Sequence, residues 1–129
     1  MNDLRNIAVL GATGSIGKSA LDVIAAYQDR FRVFALTAGS NVEKLAQLAS
    51  VWRPYIIGIA DESRYNALVG RLKELGINDV SVVAGDEACA AIAAEPQVDT
   101  VIQSVVGAAG VRPSFEAAKT GKKLLLANK

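Results

Sequence analysis

The stretch Gly11-Ala12-Thr13-Gly14-Ser15-Ile16-Gly17 decides how this chain is read. The apolar run Ile7 to Leu10 precedes it, and a segment with helical periodicity, 16–28, follows it. A short apolar strand, a glycine-rich turn and an amphipathic helix, in that order, open a βαβ unit. The glycines are spaced G-x-x-G-x-x-G rather than G-x-G-x-x-G, but the physical logic is shared. Glycine lets the backbone turn sharply and lets an anion come close, and the last glycine lets the helix pack tightly on the strand. N–H groups at the helix start then point at the anion, assisted by the helix dipole. This predicts a dinucleotide pyrophosphate on the turn, with Gly11, Thr13, Gly14, Ser15 and Ile16 around it. The hydroxyls of Thr13 and Ser15 add donors. The alternative is a tight turn with a structural role only. A Walker-type phosphate loop does not fit, because Lys18 follows Gly17 without the required spacing.

Outward from the turn, strand-length apolar runs recur at Phe31 to Leu36, Tyr55 to Ala60, Val80 to Ala84, Val98 to Ile102 and Lys123 to Leu126. Segments with helical spacing lie between them. Segment 16–28 places Ile16, Ala20, Val23, Ile24 and Tyr27 on one side. Segment 42–52 gathers Val42, Leu45, Leu48, Ala49 and Trp52, and segment 64–75 gathers Leu68, Leu72 and Leu75, with Gly76 as its stop. Segment 86–94 is short and Ala-rich, and segment 112–120 carries Pro113 near its first turn. Strand and helix in alternation predict an α/β fold, a doubly wound parallel sheet of the Rossmann type.

Composition fits that fold. The chain has 129 residues, the size of one domain over 1–129, and 51% of them are hydrophobic. Strands buried on both faces need that richness in aliphatic residues. Net charge is +1, with no basic stripe, which argues against a nucleic-acid partner. No apolar run approaches the ~20 residues of a membrane span, and the N-terminus lacks the pattern of a signal peptide. The expected location is the cytoplasm. The only cysteine, Cys89, lies in an Ala-rich segment and reads as a small buried side chain. There is no histidine, so the commonest general base and transition-metal ligand is missing. The abrupt end just after a strand predicts a truncated chain.

A second informative stretch is Leu36-Thr37-Ala38-Gly39-Ser40-Asn41. NAD-specific sites usually place a carboxylate at the end of the second strand to accept the ribose hydroxyls. None stands between Thr37 and Asn41, whereas the Gly39 N–H, the Ser40 hydroxyl and the Asn41 amide could donate to a 2′-phosphate. This favours NADPH. No Arg stands there to clamp the phosphate, which predicts modest selectivity over NADH. Asn41 also reads as the cap of the next helix, and the two roles are compatible. The small residues from Ser104 to Pro113 follow a strand on the side expected to face the nicotinamide, with a plain loop as the alternative. Asn128 and Lys129 lie just past a strand end, where open α/β sheets bind ligands, although a terminal lysine also reads as a solvated tail.

Together these pieces resemble the 1-deoxy-D-xylulose 5-phosphate reductoisomerase family. The family's GATGSIG turn reads here as Gly11 to Gly17 and its Ala-Gly-x-Asn segment as Ala38 to Asn41. Its Val-Gly-Ala-Ala-Gly stretch is Val106 to Gly110, and its Leu-Ala-Asn-Lys-Glu motif is matched by Leu126 to Lys129, without the Glu. The resemblance implies an NADPH-dependent oxidoreductase that rearranges and reduces deoxyxylulose phosphate to methylerythritol phosphate, an early step of isoprenoid biosynthesis, with Mg²⁺ or Mn²⁺. It implies that Thr13, Gly14, Ser15 and Ile16 contact the cofactor phosphates, and that Gly39, Ser40 and Asn41 surround the 2′-phosphate. Asn128 would contact cofactor and Lys129 substrate, and the whole protein would be a homodimer. Many members carry a basic residue where Ser40 stands. By the resemblance, the family's metal-binding acidic residues, mobile lid and C-terminal helical domain lie beyond Lys129, so this chain is expected to bind NADPH without turnover.

Two other classes of protein share part of this pattern. An extended short-chain dehydrogenase or epimerase needs a Tyr-x-x-x-Lys pair. Tyr27, Tyr55 and Tyr65 are followed four residues on by Phe31, Ile59 and Val69, so none qualifies. A non-catalytic nucleotide-sensing module is the second rival.

Overall fold

The computed structural model describes residues 4–103 and, as backbone, the strand at 123–126. Six strands form one parallel sheet: β1 (Arg5–Leu10), β2 (Phe31–Ala38), β3 (Ile56–Ile59), β4 (Ser81–Ala84), β5 (Thr100–Gln103) and β6 (Lys123–Leu126). Their spatial order is β4-β3-β2-β1-β5-β6. Among the described residues four α-helices lie between the strands: α1 (Ser15–Ala25), α2 (Val42–Trp52), α3 (Tyr65–Glu74) and α4 (Asp86–Ala91). Short 3₁₀ turns at Glu62–Arg64 and Ile92–Ala94 adjoin α3 and α4. The doubly wound order expected from the alternation is what forms. The expected helix at 112–120 lies outside the described residues, as does the stretch from Ser104 to Pro113.

Two apolar layers sandwich the sheet. On one face α1, α2 and α3 bury Leu21, Ile24, Leu45, Ala49, Leu68 and Leu72 against Ile7, Val9, Leu36 and Ile57. On the other face Ile92, Ala93 and Val98 cover Ala8, Leu10, Phe34 and Val101. Alternate residues of β1 therefore feed opposite layers, which is why its run is apolar at every position. Each fully buried Leu or Ile contributes about 1.5–3 kcal/mol of transfer free energy.

The helix stops and caps follow local chemistry. Gly76 adopts φ +74, closing α3 as its position after Leu75 predicted. Asn41 Oδ1 accepts the Lys44 N–H at 3.1 Å and caps α2. Cys89 is buried, as its Ala-rich setting suggested, and burial raises its thiol pKa to about 11.

One expectation is corrected. The sequence placed Ile16, Ala20, Val23, Ile24 and Tyr27 on the packed side of α1. In the structure the buried stripe is Gly17, Leu21 and Ile24, while Val23 is 60% and Tyr27 47% exposed. The cause is Gly17. A Cβ built there would lie 2.5 Å from the Gly11 carbonyl oxygen and 2.7 Å from Ala12 Cα, so the helix touches the chain beyond β1 at this point. That contact fixes the rotation of the whole helix. The stripe Ile16, Ala20 and Val23 instead lines an open apolar groove of about 600 Å³ with Ile7, Phe31 and Ile102.

Candidate functional site

The chain leaves β1 toward β2 on one side, whereas β5 pairs with β1 on the other. A crevice therefore opens beyond the C-terminal ends of β1 and β5, where the strand order reverses. The turn Gly11 to Gly17 occupies its floor. Thr37, on β2 and 4% exposed, pins this turn. The Gly11 N–H donates to Thr37 Oγ1 at 3.0 Å, and the Ala12 N–H donates to the Thr37 carbonyl at 2.7 Å. A threonine inside an apolar strand was the signal for this anchor, and it was not singled out as a site residue.

The three glycines of the turn do different things. Gly11 adopts φ +80, a conformation costly for any residue with a Cβ. Gly17 is required by the close helix–strand contact already described. Gly14 is required by neither: its φ is −82, and a Cβ there would have only the Gly11 carbonyl oxygen near it, at 3.8 Å. Gly14 is also the N-cap of α1 and brings no side chain to the orphan N–H groups of the first turn. Among the described residues, the N–H groups of Ser15, Ile16 and Gly17 have no hydrogen-bond partner. No acidic residue stands in that first turn. Gly14 and Ser15 are exposed, and Thr13 and Ile16 are half-buried. The first turn of α1 therefore presents a row of open donors at the positive end of a helix dipole. At α2 the corresponding donor is already taken by Asn41.

The turn after β2 lies nearby on the same side of the sheet. Gly39, Ser40 and Asn41 are exposed. The Ser40 carbonyl accepts the Val42 N–H, and the Asn41 side-chain oxygen is the helix cap, leaving the Ser40 hydroxyl and the Asn41 amide group as side-chain donors. Two carboxylates flank this turn. Glu43, in the first turn of α2, receives Arg71 Nε at 2.9 Å and Nη2 at 3.1 Å. That hydrogen bonding from Arg71, with a second contribution from Gln47, lowers its pKa. Asp61, just beyond β3, accepts the Ser63 hydroxyl at 2.6 Å and the Ser63 N–H at 3.1 Å, and these bonds lower its pKa. The sequence reading of 37–41 as free of carboxylates holds, but it missed Asp61, which reaches this turn from the neighbouring strand. Asn128 and Lys129 lie outside the described residues. Among the described residues, no group of three or more His, Cys, Asp or Glu side chains is placed to hold a metal ion.

A glycine-rich β1–α1 turn at the reversal point of a parallel sheet, with open donors on α1, defines a Rossmann-type α/β domain. Solved structures share it. A crystal structure of 1-deoxy-D-xylulose 5-phosphate reductoisomerase in complex with NADPH, fosmidomycin and magnesium superposes with a TM-score of 0.91 at 42% identity, covering 97% of this chain and 30% of that one. The Zymomonas mobilis enzyme in complex with NADPH gives 0.89 at 39% identity, covering 98% and 32%. The reductoisomerase of Xanthomonas oryzae pv. oryzae is 49% identical over 128 residues, and that of Nitrosomonas europaea 43% over 129. The model of the 1-deoxy-D-xylulose 5-phosphate reductoisomerase family matches residues 7–129, and the chain belongs to that family. It spans 99–100% of itself in these two alignments but only 31–32% of the relatives' length. None of the described helices is long and apolar enough to cross a membrane.

Proposed function

We propose that this chain is the NADPH-binding domain of a 1-deoxy-D-xylulose 5-phosphate reductoisomerase. The pyrophosphate rests on Gly11, Thr13, Gly14, Ser15 and Ile16. The 2′-phosphate sits at Gly39, Ser40 and Asn41, Asn128 contacts the cofactor and Lys129 touches the substrate. One observation carries this reading: Ser15, Ile16 and Gly17 hold unpartnered N–H groups behind a Gly14 whose lack of a side chain the fold itself does not require. A position kept open at the helix start fits close approach by an anion. When bound, the dinucleotide would supply the hydride for reduction from its nicotinamide, while Gly11, Thr13, Gly14, Ser15 and Ile16, with Gly39, Ser40 and Asn41, would hold its phosphates.

In this reading residues 1–129 are a single cofactor domain. The whole protein, cytoplasmic and homodimeric, isomerises and reduces deoxyxylulose phosphate to methylerythritol phosphate with Mg²⁺ or Mn²⁺. In this reading a polypeptide of residues 1–129 by itself binds NADPH without turnover. The test is a calorimetric titration of NADPH into the wild type and into Gly14→Asp. A carboxylate in the turn should abolish binding of NADPH and NADH while the protein stays folded, since there is room for a Cβ at that position. Equal affinity in the two proteins sinks the assignment. Adding deoxyxylulose phosphate and Mg²⁺ to the wild type should leave the 340-nm absorbance of NADPH unchanged, and a steady fall would refute the inactivity of this chain.

A further inference from the structure

We infer that Arg64 is the residue that makes this site prefer NADPH over NADH, an inference that rests on the cofactor reading above. A phosphomonoester carries close to two negative charges at neutral pH. The turn Gly39-Ser40-Asn41 meets it with neutral donors only, and one oxygen of that set, Asn41 Oδ1, is spent on the Lys44 N–H. A full positive charge has to come from another element.

The structure laces the segment after β3 directly to this turn. The Ala60 N–H donates to the Ala38 carbonyl, and the Asp61 N–H to the Gly39 carbonyl, each at 2.9 Å. The β2–β3 pairing thus continues past both strand ends and holds residues 60 and 61 against 38 and 39. From there the chain winds through one 3₁₀ turn, capped by the Asp61 carboxylate, whose last residue is Arg64. Arg64 Nε lies 3.8 Å from Asp61 Oδ2, with the Arg64 and Asp61 side chains 56% and 42% exposed. The guanidinium therefore lies beside the residue that bonds Gly39, without a hydrogen bond to it, and more than half of its side chain is exposed. Such an exposed pair contributes little to stability, so little opposes the arginine turning to a phosphate. A planar fork of donors matches a phosphate's oxygens better than any other side chain does.

The other charges nearby do not fill this role. Arg71 is engaged by Glu43 at 2.9 Å and by Glu74 at 3.2 Å. The Asp61 carboxylate would repel the phosphate, and a cation beside it offsets that repulsion; the Glu62 carboxylate lies instead against Gly85, beyond β4. Lys44, in the first turn of α2, is the cation nearest this turn in the chain, and the experiment includes it as the competitor.

NADPH and NADH are titrated into the wild type, Arg64→Gln, Arg64→Lys, Lys44→Gln and Gly14→Asp. Arg64→Gln should weaken NADPH by roughly tenfold or more, the scale of a lost charge-assisted contact, and leave NADH within about twofold of wild type. Arg64→Lys should recover part of the loss, and Lys44→Gln should cost less than Arg64→Gln. Unchanged NADPH affinity in Arg64→Gln overturns the inference, as does an equal loss for both nucleotides or a larger selectivity loss in Lys44→Gln. If Arg64→Gln changes nothing while Gly14→Asp abolishes binding, Arg64 falls and the pyrophosphate assignment stands. If the wild type binds neither nucleotide, both readings fall.

Discussion

Gly17→Ala isolates the contact that sets the fold's geometry at the site. The added methyl would lie 2.5 Å from the Gly11 carbonyl oxygen and under 3 Å from Ala12 Cα and C. All three neighbours are backbone, and the Ala12 N–H is tied to Thr37, so no side chain can swing away to make room. Helix α1 must retreat from β1 by ~1 Å, an overpacking change that typically costs about 1–3 kcal/mol. Alanine also returns up to about 1 kcal/mol of helix propensity. The crowding involves rigid atoms on two elements, so its cost falls toward the upper end of that range. The net expectation is a loss of about 1–2 kcal/mol, or roughly 3–8 °C in Tm for a domain of this size. Thermal unfolding followed by circular dichroism reads it. Gly70→Ala is the control: it sits within α3, and an added Cβ meets nothing within 4 Å, so the propensity gain should appear alone as a higher Tm. A Gly17→Ala protein as stable as wild type would refute the reasoning that this glycine is there for close packing.

Two further outcomes follow from buried groups. Thr37→Val keeps the shape of a side chain that is 4% exposed but removes the hydroxyl accepting the Gly11 N–H, so urea unfolding should show a loss of about 1–3 kcal/mol; an unchanged midpoint would deny that this bond anchors the turn. Cys89 is buried, with its pKa raised to about 11 by burial first and by the charge of Asp86 second. The folded state disfavours the thiolate, so this group's contribution to stability is present at neutral pH and is lost as pH rises from the ordinary thiol value of 9.0 toward about 11. At pH 8 a disulfide reagent should label Cys89 only after denaturant is added, and rapid labelling of the native protein would contradict its burial.

Much of this was legible in the sequence, because the period of apolar residues changes between strand and helix and the turn glycines punctuate the change. Gly76 and Asn41 could be read as a helix stop and a helix cap from local chemistry alone, and both take those roles. The face of α1 could not be read that way. Periodicity gave one plausible stripe, but a single tertiary contact at Gly17 rotated the helix to bury Leu21 and leave Val23 exposed. Thr37 stood out only as a polar residue in an apolar strand; what it, Asp61 and Arg64 touch was illegible, because that depends on which strands are neighbours. Residues 37 and 61 lie far apart in the chain, yet both reach the β1 and β2 turns through backbone bonds that only the strand order creates. The glycine spacing announced a turn that could take a phosphate. The structure separated its three glycines into one for conformation, one for packing and one left over for a ligand.

In the proposed reading the open N–H groups at the start of α1 receive the cofactor pyrophosphate. The most direct measurement is an NMR titration of the ¹⁵N-labelled chain with NADPH, following backbone amides. The largest amide shifts are expected on Gly14, Ser15, Ile16 and Gly17, with smaller ones at Gly39 to Asn41, while Ala20 and Val23 in the apolar groove move little. Saturable binding that shifts the groove residues and leaves the amides of Ser15 to Gly17 in place would contradict it.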